Sequence, residues 1–356
     1  MSLIVVPSLQ HRSADELDIR RVRRGRGFSY HTPDGGRVTD EATLARIRAI
    51  VIPPAWTDVR ISDTDDSHLQ AIGRDARGRL QYRYHPRWTE FRDRVKFDRL
   101  PAFAASLPAV RRRIDIDLTS SGVTREKVLA TLVELLQTTL IRVGNEEYAR
   151  DNGAYGLTTL RNRHARVSGA DITFVFTGKS GLRHEVHAQD RRVARVLRQC
   201  QEIPGQRLFQ YLDAGNNAVA VHSHDVNDYL REAAGADITA KDFRTWVATV
   251  SAAGALGPLD PPASEREEQA MVREVVDTVA EDLGNTAAVC RASYIHPRVL
   301  TCFGTGELHE TWQETPARQA RLTTDERRTR ALLGPRKAAR RTAPLASAAR
   351  AQRRAS

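Results

Sequence analysis

Four cations and one tyrosine are the residues of this chain with the most chemistry to offer. Arg142 lies in Leu140-Ile141-Arg142-Val143-Gly144-Asn145, Lys179 in Gly178-Lys179-Ser180, Lys241 and Arg244 in Lys241-Asp242-Phe243-Arg244-Thr245, and Tyr294 in Ser293-Tyr294-Ile295-His296-Pro297. A guanidinium grips an oxyanion through parallel N–H bonds, an ammonium acts as a point donor, and a phenol is a nucleophile. Taken singly, each has an ordinary account. Arg142 at the end of a helix complements its dipole. Lys179 at a hairpin tip is solvated. Lys241 and Arg244, three apart, share a surface helix face, and Tyr294 before a helix-breaking proline packs in a core.

Other chemistries are less well supplied. His184 and His187 are three apart on a strand and point to opposite faces. His222 and His224 could share a strand face, but no third ligand stands at metal-binding spacing, so no metal is expected. No phosphate-cradling G-x-x-x-x-G-K-[ST] occurs, nor a Gly-x-Ser-x-Gly, nor a legible Cys/His pairing. Neither ATP nor any other cofactor is suggested.

The elements that must position the cations fall into two sets. Residues 1–26 read as an irregular N-terminus ending in the basic cluster Arg20, Arg21, Arg23, Arg24 and Arg26. A hairpin over 27–38 turns at Pro33-Asp34-Gly35-Gly36, a short helix over 40–50 stops at Pro53-Pro54, and 59–61 and a hairpin over 69–84 complete a β-rich unit. Beyond it the chain is mostly helical, with candidates at 86–100, 101–114 and 124–142. The last has Thr124 as N-cap and Val128, Leu132, Leu135, Leu136 and Leu140 at helical spacing. Ile172, Phe174 and Phe176, then Leu182, His184 and Val186, alternate as a hairpin with Lys179 at its tip. Helices follow near 190–200, 225–234, 240–254, 264–283 and 285–295. The fold class is α+β. A β-rich N-terminal domain (27–100) precedes a helical catalytic domain (101–333) that contains a small antiparallel sheet. A basic tail over 334–356 has no core pattern and reads as disordered.

The chain has 356 residues, 40% of them apolar, enough for two cored domains. No apolar run is long enough to span a bilayer, and the start lacks the pattern of a signal peptide. Three cysteines, Cys200, Cys290 and Cys302, are too few for a disulfide framework. A soluble, reduced, cytoplasmic protein is the expectation. The net charge is +11, of which seven basic residues in the tail account for all but +4. Such an excess suits a polyanion.

In order, these motifs resemble the type IB DNA topoisomerases, specifically the bacterial and poxvirus-like branch, from about Arg20 to about Leu333. The resemblance includes Ile52-Pro53-Pro54-Ala55-Trp56, Gln81-Tyr82-Arg83-Tyr84-His85, Ile141-Arg142-Val143-Gly144, Tyr155-Gly156-Leu157-Thr158-Thr159-Leu160, Phe176-Thr177-Gly178-Lys179, Lys241-Asp242-Phe243-Arg244-Thr245 and Ser293-Tyr294. It implies that Tyr294 attacks a DNA phosphodiester and leaves a 3′-phosphotyrosyl link. Arg142 and Arg244 would clamp the non-bridging oxygens, and Lys179 would protonate the departing 5′-oxygen. Strand rotation and religation would then relax supercoils without ATP or metal. Poxvirus members carry histidine nine residues before the nucleophile. Asn285 stands there in this chain and implies a neutral donor. Viral relatives also have lysines in the turn after the first arginine, where this chain has Asn145, Glu146 and Glu147, and only Tyr148 remains of that DNA-contacting cluster. Tyr82 and Tyr84 share one strand face, and the resemblance places them, Gln81 and Lys241 at the DNA. It implies a monomer that clamps duplex DNA and associates with the nucleoid.

A tyrosine recombinase uses the same nucleophile and cations. It typically has histidine three residues before the second arginine, where this chain has Lys241, and a helical N-terminal domain. A non-catalytic basic DNA-binding protein is the other alternative, against which the intact Arg142, Lys179, Arg244 and Tyr294 argue.

Overall fold

The computed structural model describes residues 8–316 and 320–334. The basic tail therefore lies outside the described residues apart from Gly334, as do the first seven residues. The chain forms two compact units, 1–98 and 99–356.

The first unit is built on a five-stranded antiparallel sheet. Its elements are β1 (Ile19–Arg24), β2 (Gly27–His31), α1 (Glu41–Ala49), β3 (Thr57–Ile61), β4 (Leu69–Arg74), β5 (Leu80–Tyr84) and α2 (Pro86–Asp98), with strand order β2-β1-β3-β4-β5. Ile19, Val59, Ile61 and Ala71 from the sheet and Ile47 from α1 make its small core. Asp40 caps α1, accepting from the Thr43 N–H at 2.7 Å.

The N-terminal basic cluster corrects the sequence reading. It is not irregular. Residues 19–24 are β1, and β2 pairs with it around Gly25, whose φ of +56° suits glycine. Beyond the turn at 33–36 only a single bridge, His31 with Arg37, remains of the expected hairpin. A run of arginines can occupy a strand because the aliphatic stem packs while the head finds acceptors. Arg21 lies 4.2 Å over the Phe28 ring and donates to the carbonyls of Pro53 at 3.1 Å and Trp56 at 2.7 Å. The same contacts account for the Pro53-to-Trp56 motif. A methyl on Gly73 would fall 2.9 Å from the Trp56 ring, so glycine lets that ring lie on β4.

The second unit contains α3 (Leu100–Thr119), α4 (Arg125–Thr139), α5 (Glu146–Asn152), β6 (Ala165–Ser168), β7 (Asp171–Thr177), β8 (Arg183–Gln189), α6 (Arg191–Glu202), β9 (Gln210–Leu212), β10 (Ala218–Ala220), α7 (Ser223–Ala234), α8 (Ala240–Leu256), α9 (Glu265–Leu283), α10 (Ala287–Ser293), α11 (Pro297–Gly304), α12 (Glu307–Glu314) and α13 (Thr324–Leu333). Strands β6, β7 and β8 form an antiparallel sheet, and β9 pairs with β10. Helix α8 is the hub, packing on α3, α4, α7, α9, α11, α12 and α13. Its face of Ala248, Ala252 and Ala253 admits close neighbours, and Gly257 lets the Trp312 ring sit where a methyl would be 2.3 Å away. Phe103 of α3 meets Phe243 of α8 edge to face at 4.9 Å.

Two further sequence expectations are corrected. Helix α4 begins as read, with the Thr124 hydroxyl accepting from the Lys127 N–H, but stops at Thr139. Leu140 turns left-handed at φ +56°, so Arg142 stands beyond the helix and not at its C-terminal dipole. His222 and His224 do not share a strand. His222 precedes α7 and His224 lies in its first turn, their rings stacked at 5.5 Å.

Candidate active site

Three helix ends and two turns converge on Tyr294. The nucleophile candidate follows α10, its N–H donating to the Cys290 carbonyl at 2.9 Å. The Thr249 hydroxyl of α8 lies 3.1 Å from the Tyr294 carbonyl and accepts from the His296 N–H at 3.1 Å. His296 in turn caps α11, its Nδ1 accepting from the Arg298 N–H at 3.0 Å. The segment 294–296 is thereby tied to α8 on one side and to α11 on the other.

Arg244 comes from the buried face of α8. It is 8% exposed, whereas Lys241, one turn earlier, is exposed to solvent. The two do not share a surface face. Arg244 donates to the Leu140 carbonyl at the end of α4 and to the Leu283 carbonyl at the end of α9, the latter at 2.7 Å. Helix C-termini carry partial negative charge, which suits a buried cation. Its Nε–H is buried and has no hydrogen-bond partner among the described residues. The guanidinium carbon stands 5.5 Å from the centre of the Tyr294 ring.

Arg142 is held in an extended segment. Its carbonyl accepts from the Leu157 N–H at 2.9 Å, and that of Val143 from Thr158 at 2.7 Å. A methyl on Gly156 would fall 2.5 Å from the Arg142 carbonyl oxygen and 2.6 Å from the Gly144 Cα, so the two strands of chain meet only because 156 is glycine. The neighbouring Tyr155 N–H bonds the Thr177 carbonyl at 2.8 Å, which attaches this segment to the end of β7. The Arg142 Nη2 donates to Asn285 Oδ1 at 3.4 Å. Asn285 donates through Nδ2 to the Leu283 carbonyl, also at 3.4 Å, which leaves its second amide proton for another acceptor.

The electrostatics favour a nucleophile. Burial opposes ionisation of the Tyr294 phenol, yet the charges and hydrogen bonds of Arg244 and Arg142 together outweigh it, so its pKa lies below that of an ordinary tyrosine. Burial and the nearby Arg142 charge pull the Arg244 pKa down, but an arginine stays charged regardless.

Lys179 opens a single helical turn, Lys179–Gly181, between β7 and β8, and is exposed. The structure brings Arg142, Arg244, Asn285 and Tyr294 together directly. Lys179 connects to them through the base of its turn. His184, opposite Phe176 on β8, stacks on that ring at 5.3 Å, closes off the space a side chain on Gly178 would need, and faces Gly284. His184 and His296 were not singled out as functional from sequence. The available signal for His184 was one polar side chain on a strand face otherwise carrying Val186 and Ala188.

The remaining sequence candidates are placed as follows. Tyr82 and Tyr84 are exposed on β5 with rings stacked at 6.0 Å. Gln81 is on the opposite strand face, its amide donating to Asp75 at 3.0 Å. Tyr148 is exposed on α5. Glu146, in the turn after Arg142, pairs with Arg207, at 2.6 Å for one of its two bonds. Among the described residues no group of three or more His, Cys, Asp or Glu could hold a metal ion, and no helix is long and apolar enough to cross a membrane.

Comparison with known proteins adds lineage to this geometry. Residues 85–314 match the family described as eukaryotic DNA topoisomerase I, catalytic core, and residues 27–75 that described as bacterial DNA topoisomerase IB, N-terminal domain. A DNA topoisomerase 1B of Acanthamoeba polyphaga mimivirus is 31% identical over 284 residues, covering 78% of this chain and 84% of the relative. The DNA topoisomerase 1B of vaccinia virus (strain Copenhagen) is 24% identical over 272 residues, covering 73% and 82%. The DNA topoisomerase 1 of Mycosarcoma maydis is 25% identical over 246 residues, which is 60% of this chain but 24% of that larger relative.

Proposed function

The chain belongs to the type IB DNA topoisomerases, and on that premise we propose that it relaxes supercoiled DNA through a transient 3′-phosphotyrosyl intermediate formed by Tyr294. The phenol oxygen attacks the phosphorus of a backbone phosphodiester. The bond from phosphorus to the 5′-oxygen breaks, and the phenol proton passes to solvent. Lys179 delivers a proton to the leaving 5′-oxygen, which is too basic to depart unaided. Arg142 and Arg244 hold the non-bridging oxygens, and Asn285 adds one neutral donor. The covalent link conserves the energy of the cleaved bond, so rotation and religation need no ATP. Fixed protein donors carry the charge stabilisation that a metal ion supplies elsewhere.

One observation carries this reading above the others. Two arginines from separate parts of the chain act on one phenol and lower its pKa despite burial, and one of them holds a buried N–H with no partner among the described residues. An electronegative oxygen, such as that of a phosphate in the cleft, would satisfy that donor. Contact with duplex DNA is further assigned to the stacked Tyr82 and Tyr84, to Tyr148 and to Lys241, all exposed. Gln81 joins them through the strand it shares with the tyrosines.

The test is relaxation of supercoiled plasmid, and capture of the denaturation-resistant protein–DNA adduct, in EDTA without ATP. The wild-type chain relaxes DNA under these conditions. Tyr294→Phe binds DNA but forms no adduct. An adduct formed by the Phe variant, or a wild type that needs ATP or metal, refutes the mechanism.

A further inference from the structure

Gly178, immediately before Lys179, has φ −101° and ψ −161°, a backbone open to any residue. Its conformation therefore does not explain the glycine. Its surroundings do. A methyl at 178 would fall 2.5 Å from Cδ2 and 2.6 Å from Nε2 of His184, far inside contact distance. The neighbouring corner of the same imidazole, Cε1, faces the other turn of the site. A methyl on Gly284 would lie 3.5 Å from His184 Cε1, in ordinary contact. One ring thus fills the space between the residue before Lys179 and the residue before Asn285. Phe176 supports it from the facing strand at 5.3 Å and an interplanar angle of 20°.

We propose that His184 is the positioning residue of the general acid, its ring seating the Gly178–Lys179 turn against the Gly284–Asn285 turn. This rests on the reading of Lys179 as the proton donor. The hairpin tip is otherwise held by its own short bonds, Gly178 N–H to Leu182 O at 2.8 Å and Gly181 N–H to Gly178 O at 3.1 Å. Those fix the shape of the turn, and the Tyr155 N–H bond to Thr177 O at 2.8 Å anchors its base to the Arg142 segment, but none of them sets it against Asn285. The imidazole supplies the aim because it stands between that turn and Gly284, close enough that a Cβ there would be in contact with its Cε1. Burial, then the charges of Arg142 and Arg244, hold the His184 pKa below the ordinary value, so the ring acts as a neutral wedge beside two cations.

A residue that works through Lys179 matters only where a proton is needed. A strand with sulfur at the bridging 5′ position leaves as a thiolate, whose conjugate acid has a pKa of about 8.5, and needs little protonation. The experiment is single-turnover covalent-complex formation by the full chain on matched oxygen and sulfur strands. Lys179→Ala is slow on oxygen and near wild type on sulfur. His184→Ala is slowed about 10- to 100-fold on oxygen, part of the roughly 10²–10⁴ that a general acid supplies. It is spared on sulfur, and in combination with Lys179→Ala it adds no further loss. Gly178→Ala, which pushes on the intact ring, gives the same selective defect. Adding His184→Ala to it makes room for the methyl and raises the oxygen rate to that of His184→Ala alone. Equal slowing of His184→Ala on both strands, or full additivity with Lys179→Ala, overturns the proposal while leaving a selective Lys179 variant intact. A Lys179→Ala variant equally slow on both strands overturns the general-acid reading, and the role of His184 with it.

Discussion

Acid should loosen the segment that carries Tyr294, through His296. Its ring is packed away from water next to Arg298, and burial first, then that charge, bring its pKa from 6.5 down to about 4. The Nδ1 atom must be unprotonated to accept the Arg298 N–H and cap α11. The folded chain therefore binds this proton less readily than the unfolded chain. Stability from this group is complete above about pH 6.5 and is lost as the pH falls through about 4. At 1.36 kcal/mol per pH unit the loss amounts to about 3 kcal/mol. The comparison variant is His296→Asn, which keeps a capping acceptor but cannot titrate. Urea unfolding followed by far-ultraviolet circular dichroism, repeated across this pH range, gives the difference directly. Carboxylates shared by both proteins cancel. The wild type should lose about 3 kcal/mol more than the variant between the two pH limits. Parallel stability curves for the two proteins would show that His296 is not held neutral by the fold.

Three further expectations follow from the geometry. Asn285→Ala should slow single-turnover cleavage by about 10²–10³, the value of one oxyanion donor, while Asn285→His keeps substantial activity; a dead His variant beside a fully active Ala variant excludes the hydrogen bond. Gly156→Ala must move the Arg142 carbonyl, 2.5 Å from the new methyl, and a displacement of this kind costs about 10² in cleavage rate; unchanged kinetics in a folded variant would dissociate the 155–160 motif from Arg142. Glu326→Ala removes the carboxylate that takes two 2.7 Å bonds from Arg111 and one from Trp246, and should destabilise the helical unit by about 3–5 kcal/mol in urea titration without changing the cleavage rate per folded molecule.

What the sequence made legible follows from how local each signal was. The start and apolar face of helix α4, the β7–β8 hairpin and the lysine at its tip are written in short periodicities, and they appear where read. The arginine-rich strand β1 was missed because charge masked a pattern whose inward partners, two prolyl-turn carbonyls and Phe28, lie elsewhere in the chain. The early stop of α4 was missed because leucine is a poor sign of a left-handed turn. Gly156 and Gly178 stand in short motifs whose neighbouring residues give no reason for a glycine. Their reason is steric and belongs to Arg142 and His184, which no window of neighbouring residues contains. Lys241 and Arg244 looked like one exposed face because spacing does not say which side of a helix meets its neighbours.

The left-handed turn at Leu140 shows how one backbone feature can serve both arginines. A leucine at φ +56° is strained and persists only where its surroundings over-determine it. Here its side chain packs against the core formed by α8, α9, α10 and α11, and its carbonyl receives the Arg244 guanidinium. Had α4 continued helically to residue 142, the 140 carbonyl would point along the helix and Arg142 would leave on its surface. Ending the helix at 139 turns that carbonyl to a buried cation and delivers Arg142 to the extended segment that meets Gly156. The two cations facing Tyr294 are thus registered against each other through three residues of backbone, 140–142. The phosphate grip proposed for these two guanidiniums gains from such coupling, since an error in either position moves the other with it.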